Sequence, residues 1–260
     1  MTRLSVAIIT KNEAHRIVAC LASVRFADQI VVVDSGSTDA TVAIAEGCGA
    51  EVTVTADWPG FGPQKNRALA ACRGDWVLSL DADECLSPEL AAEIATIVAA
   101  GSDNAVRAGA GEAAPVLAGY WLRRQSRFCG QVMRHGLWGN DRVLRLFRRE
   151  RGRFSDDRVH ERVIVDGATR TLAGTLLHDS VESFDDALDK ARRYAALGAD
   201  ALRCRGRGGL VSAWLHGIWT FVRGYLLRRG FLDGRHGLTL AVLSARSTYW
   251  KYLWARYPPG

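Results

Sequence analysis

Apolar positions fall in short unbroken runs, separated by polar stretches rich in turn residues. Residues 4–10 (LSVAIIT) and 29–33 (QIVVV) show little polar alternation, the pattern of parallel strands buried on both faces. Residues 51–55 and 76–80 (WVLSL) continue the series. Between them, residues 12–26, 41–47 and 65–72 carry helical spacing, with Ile17, Leu21 and Val24 on one face of the first. Four strand and helix alternations within about 80 residues predict βαβ units and an α/β class, mostly parallel sheet flanked by helices. Further on, residues 88–100 read as a helix, 102–115 as a Gly- and Ala-rich loop, and 119–124, 143–148 and 172–177 as strands. Helices are expected at 183–202, 210–229 and 238–256, broken at the glycine-rich stretch 206–209 and by a turn at 230–237. Two domains are therefore expected: residues 1–180, and a helical C-terminal extension, 181–260.

Charge separates the same two parts. The formal net charge is +6, but residues 203–260 hold ten basic residues against one acid, Asp233, while residues 1–202 hold 24 basic and 27 acidic. The basic stretch also carries four of the eight Trp and four of the six Tyr. Such a stretch fits a polyanionic surface, either membrane headgroups or nucleic acid. Its helical stripe of Val211, Leu215, Ile218, Val222 and Tyr225 equally fits packing against the body or a second subunit. Residues 209–222 are interrupted by His216 and fall short of the about 20 apolar residues needed to span a bilayer. Six scattered Cys without a C-x-x-C pair exclude zinc-finger spacing and read as free thiols in a reducing cytosol. The first residues run straight into a strand without an apolar leader. The expected location is cytoplasmic, peripheral on a membrane.

Carboxylates mark the ends of the strands. Asp81, Asp83 and Glu84 directly follow the apolar run 76–80. Open α/β sheets bind ligands at the carboxyl ends of their strands. Asp81 and Asp83 share one side of an extended backbone, and two hard oxygen donors suit Mg²⁺ or Mn²⁺ bridging phosphates. A solvated turn or a helix N-cap would use the same residues. Asp34 ends the second strand, where a carboxylate can accept hydrogen bonds from a base or ribose. Glu13 follows the first, so three strands deliver Glu13, Asp34 and Asp81 to one edge. The chain has only four Lys against 30 Arg, and Lys11 and Lys65 fall in these loop segments. Lys65 and Arg67 are expected to open a helix, whose N-terminus favours a diphosphate, or to form a solvated first turn. Thr10-Lys11-Asn12-Glu13 contains no Gly. That argues against a dinucleotide-binding fingerprint and against the Gly-rich, Arg-containing loop of sugar-phosphate nucleotidyltransferases.

The succession IITKNE, VVVDSGSTD, GPQKNRAL and GDWVLSLDADE resembles the family-2 glycosyltransferases of the GT-A fold. More narrowly it resembles the bacterial lipopolysaccharide-core β-glucosyltransferase group. The similarity extends to Arg145-Leu146-Phe147-Arg148, Val159-His160-Glu161, Leu177-His178 and Gly230-Phe231-Leu232-Asp233-Gly234. The resemblance implies a Rossmann-type GT-A sheet and an inverting, metal-dependent transfer of glucose from a UDP-sugar to a lipid-linked inner-core saccharide. It places the uridine nucleotide on Thr10, Glu13, Asp34 and Asp81, with Lys65 nearby. It places a divalent metal on Asp83, with His178 as a further candidate ligand, although a His bonded to backbone would read the same way. The general base would come from Asp156, Asp157 or Glu161, with Glu161 and Asp157 preferred. The family usually has a Glu/Asp-Asp pair there, whereas this chain has Ser155-Asp156-Asp157 and then His160-Glu161. A rival of another class is a non-catalytic membrane- or RNA-binding protein built on the basic stretch, which would tolerate Asp83→Ala.

Overall fold

The unbroken apolar runs lie side by side because both of their faces are covered. A computed structural model, which describes residues 3–101, 117–139, 141–155 and 162–259, contains β1 (Leu4–Thr10), β2 (Gln29–Asp34), β3 (Glu51–Val54) and β4 (Trp76–Asp81). They form a parallel block in the order β3-β2-β1-β4, and every residue of β1 is buried. The connecting helices are α1 (Ile17–Ser23), α2 (Thr41–Gly47) and α3 (Phe61–Ala71). Register places Thr10 opposite Asp34, and Ile9 opposite Asp81. The carboxyl ends of three neighbouring strands therefore coincide.

Beyond β4 the sheet continues with antiparallel pairings. A short β5 (Glu84–Leu86) leads into α4 (Pro88–Ala99), whose N-cap Ser87 accepts a hydrogen bond from the Leu90 amide. Then come β6 (Leu117–Phe128), β7 (Gln131–Val132), β8 (Asp141–Arg148), the β9 (Gly152–Phe154) and β10 (Val163–Val165) hairpin, and β11 (Ala168–Val181). β8 runs antiparallel to β4, and β5 antiparallel to β11 with His178 opposite Glu84.

Several boundaries differ from those expected. The first helix starts at Ile17 rather than at residue 12, because Asn12 sits in the left-handed region (φ 56°). There its backbone amide donates to Ser37 Oγ and its Oδ1 accepts from the Thr38 amide. α3 begins at Phe61, not at residue 65, with Gly60 (φ 115°) supplying the turn into it. Pro63 is tolerated in that first turn, where its missing N–H has no helical partner to lose. The strand β5 was not expected. The segment 102–115, and Asp156, Asp157, His160 and Glu161, lie outside the described residues.

The chain divides into two compact units, Met1–Arg124 with Arg142–His178, and Gln125–Asp141 with Asp179–Gly260. The second unit thus includes the segment between β6 and β8, which the expected division at residue 180 left in the first. Its core gathers Phe128, Met133, Val181, Ala187, Leu240 and Leu243. Asp233, buried, accepts hydrogen bonds from the Arg134 and His135 amides and pairs with His135 Nδ1 at 2.9 Å. Its helices are α5 (Phe184–Arg203), α6 (Leu210–Phe221) and α7 (Gly234–Arg256). The expected helix 210–229 stays α-helical only to Phe221, then widens into a π-helical turn over Val222–Leu227. No described helix is long and apolar enough to cross a membrane.

Gly174, on β11, abuts α4 so closely that a Cβ there would lie 2.5 Å from Leu90 Cα. Gly174→Ala is expected to lower the unfolding free energy by about 1–3 kcal/mol, the usual cost of overpacking against a rigid neighbour. An unchanged urea midpoint would contradict that packing.

Candidate active site

A ring of charge, buried except for the part-exposed Asp81, organises the end of β4. Asp81 receives Lys65 Nζ from α3 at 2.8 Å and Arg145 Nη2 from β8 at 2.5 Å. The same Arg145 nitrogen lies 2.8 Å from Glu84 Oε1, and Arg124 Nη1 approaches that oxygen at 3.4 Å. The other oxygen of Glu84 accepts the Asp81 backbone amide at 3.0 Å. Lys65, Glu84 and Arg145 are all buried. Removing such charges from water is affordable only when they are paired. Burial by itself would push the Asp81 carboxyl up, but Arg145 and Lys65 outweigh it and hold Asp81 well below the usual carboxylate range. Burial would likewise favour neutral Arg145, yet Asp81 and Glu84 keep it firmly protonated.

Two residues along, the chemistry changes. Asp83 Oδ2 lies 3.3 Å from His178 Nε2, both side chains mostly buried but still reachable from solvent. The antiparallel register of β5 and β11 makes this pair, by placing His178 beside the turn that carries Asp83. Asp81 and Asp83, expected on one side of an extended backbone, are instead parted by the turn between β4 and β5. One faces cations and the other an imidazole. Carboxylate oxygen and imidazole nitrogen form a donor set suited to Mn²⁺. Among the described residues no group of three ligating side chains forms.

The other expected site residues divide. Thr10 is buried, and its Oγ1 has no hydrogen-bond partner among the described residues. An unsatisfied buried hydroxyl at a strand end is costly unless a ligand completes it. Glu13 pairs with Arg16 at 3.1 Å. Burial raises its carboxyl, Arg16 opposes the rise and the Asp83 charge adds to it, so Glu13 and Asp83 share one electrostatic neighbourhood. Asp34 is fully buried and turned into its own loop, accepting from the Gly36 amide at 2.9 Å, the Ser37 amide at 2.7 Å and Ser37 Oγ. Arg67 is not brought to the cluster: it forks onto Asp57 (2.7 and 2.9 Å) and bonds Gln64. The expectation that Lys65 and Arg67 flank a helix N-terminus fails because α3 starts four residues earlier, which puts both in its body.

Sequence reasoning noted Arg145 only within a stretch of resemblance and gave it no role, and it passed over Arg124 and the buried role of Glu84. One signal was available for Arg145. A charge in the middle of the apolar stretch Val143-Leu144-Arg145-Leu146-Phe147 must point at a partner if that strand is interior.

The family model "Glycosyl transferase family 2" matches residues 5–158. An uncharacterized glycosyltransferase of Rickettsia bellii is 32% identical over 254 residues, covering 94% of this chain and 82% of the relative. The lipopolysaccharide core biosynthesis glycosyltransferase LpsC of Rhizobium meliloti is 29% identical over 268 residues, covering 96% and 93%. Among solved structures, S. aureus TarS 1–349 superposes with a TM-score of 0.45 at 18% identity, covering 74% of this chain and 64% of that one.

Arg145→Met is expected to cost about 3–5 kcal/mol at neutral pH, the usual loss when one partner of a buried pair is removed. Because the pairing depresses the Asp81 carboxyl, its contribution is complete above the unfolded-state value near pH 4. It is lost as pH falls through the lower folded value. The gap between wild type and variant in urea unfolding should narrow on acidification, and a gap independent of pH would contradict the ion-pair account.

Proposed function

The chain belongs to glycosyl transferase family 2, and from that premise we propose that it transfers glucose, with inversion, from UDP-glucose to a lipid-linked saccharide of the lipopolysaccharide inner core. The observation that carries the reading is the meeting of Thr10, Asp81 and the Asp83–His178 pair at one sheet edge, where strand register and the β5–β11 pairing bring them. The acceptor class is supported by likeness to LpsC, whose name assigns it to lipopolysaccharide core biosynthesis.

In this reading Thr10, Glu13, Asp34 and Asp81 line the uridine nucleotide site, with Lys65 nearby. The buried Thr10 hydroxyl offers the nucleotide a hydrogen bond that no described residue makes. Asp83 and His178 would hold Mn²⁺ or Mg²⁺, which supplies positive charge to the departing diphosphate. The chain's own cations near Asp81 serve a different end, keeping that carboxylate ionised and fixed. A carboxylate, assigned to Glu161 or Asp157, takes the acceptor hydroxyl proton as the oxygen attacks the anomeric carbon from the face opposite the diphosphate. The C–O bond to the diphosphate breaks as the new bond forms, turning an α-linked donor into a β-linked product. The acceptor's lipid and the basic C-terminal stretch favour work at the cytoplasmic face of the inner membrane.

The test is a donor panel with purified protein and Mn²⁺, read as nucleoside diphosphate release. UDP-glucose is expected to be the best donor and chelation to abolish turnover. Asp83→Ala should lower turnover by at least about 100-fold while leaving the unfolding midpoint near wild type. Preference for a guanosine or cytidine donor, or wild-type turnover by Asp83→Ala, would overturn the reading.

A further inference from the structure

α6 is built inside out. Its small residues Ala213 and Gly217 face inward and are buried. Gly217 permits a close approach to α7, since a Cβ there would lie 3.3 Å from the Ala245 carbonyl oxygen. The large apolar residues face the other way: Val211 is 72% exposed, Trp214 57%, Leu215 63%, Ile218 56% and Trp219 55%. Their spacing puts all five on one stripe. Leu226 and Leu227 in the π-helical turn, and Phe231 and Leu232 just after it, are exposed as well. An apolar surface of this extent marks an interaction site rather than ordinary surface.

Charge identifies the occupant. Residues 204–232 contain five arginines, from Arg205 to Arg229, all exposed, and no Asp or Glu. They stand at both ends of the apolar stripe. A second copy docking on the same patch by two-fold symmetry would bring two such arginine sets together, which like-charge repulsion opposes. An anionic bilayer surface complements both features, with headgroup phosphates for the guanidiniums and the acyl boundary for the stripe. Two Trp within the stripe suit that boundary. Twelve residues of helix span only about 18 Å, short of a hydrocarbon core about 30 Å thick, so α6 fits in the plane of the surface rather than across it. We propose that α6, with the π-helical turn after it, is the element by which this protein docks on an anionic membrane. The proposal deepens the reading of a lipid-borne acceptor and rests on it.

The test is flotation of the wild-type chain with vesicles of phosphatidylglycerol and phosphatidylethanolamine, against phosphatidylcholine alone, at low and high salt. Tryptophan emission is followed in parallel. Wild type is expected to partition at least about tenfold more onto the anionic vesicles, with a blue shift, and to be released by salt. Ile218→Asp, at an exposed position, should cut that partition about tenfold while leaving UDP-dependent thermal stabilisation unchanged. No wild-type flotation at low salt overturns the proposal, as does an Ile218→Asp variant that floats like wild type. A wild-type dimer in solution that Ile218→Asp converts to monomer would overturn it in favour of a second copy. Failed flotation with intact UDP stabilisation refutes membrane docking alone, whereas absent UDP stabilisation refutes the transferase reading.

Discussion

The paired charges around Asp81 are the constraint on which the site depends. Asp81 ends a strand, Lys65 lies on a helix, Arg145 on an antiparallel strand and Glu84 at the start of the next short one. Three successive elements, α3, β4 and β5, and the distant strand β8 therefore converge on one cluster. The cluster fixes the turn between β4 and β5, since Glu84 both pairs with Arg145 and accepts the Asp81 amide. Asp83 projects from that turn. Its approach to His178 follows from the same anchoring, because Glu84 is also the residue that β11 places opposite His178.

The division of labour between the two aspartates follows from their surroundings. Asp81 is saturated by cations supplied by the protein, so its charge is already balanced. Asp83 has an imidazole beside it and no guanidinium or ammonium among its ion-pair partners in the described residues. Glu13 lies in the same neighbourhood: burial is the main cause of its raised carboxyl, Arg16 opposes the rise and the Asp83 charge adds to it.

What the sequence made legible was whatever depends on burial on both faces. β1, β2 and β4 read directly from their apolar runs, and with them the placing of Asp34 and Asp81 at neighbouring strand ends. What escaped was set by long-range pairing. β5 is three residues long and has no periodicity of its own; it exists because β11 is there to pair with it. Gly60-Phe61-Gly62-Pro63 has loop composition yet opens α3, since Pro fits a first helical turn. The late start of α1 follows from Asn12 bonding across to Ser37 and Thr38, a contact between loops that local propensity does not encode. The outward stripe of α6 was visible as a period, but which side faced water depended on Gly217 meeting α7.

Metal binding at the Asp83–His178 pair bears most directly on the account, and electron paramagnetic resonance of added Mn²⁺ measures it without requiring turnover. The account predicts that free Mn²⁺ signal falls when protein and UDP are both present. Asp83→Asn should abolish that fall and His178→Ala weaken it, with the fold intact by circular dichroism. Equal Mn²⁺ uptake by wild type and the doubly substituted chain would contradict it.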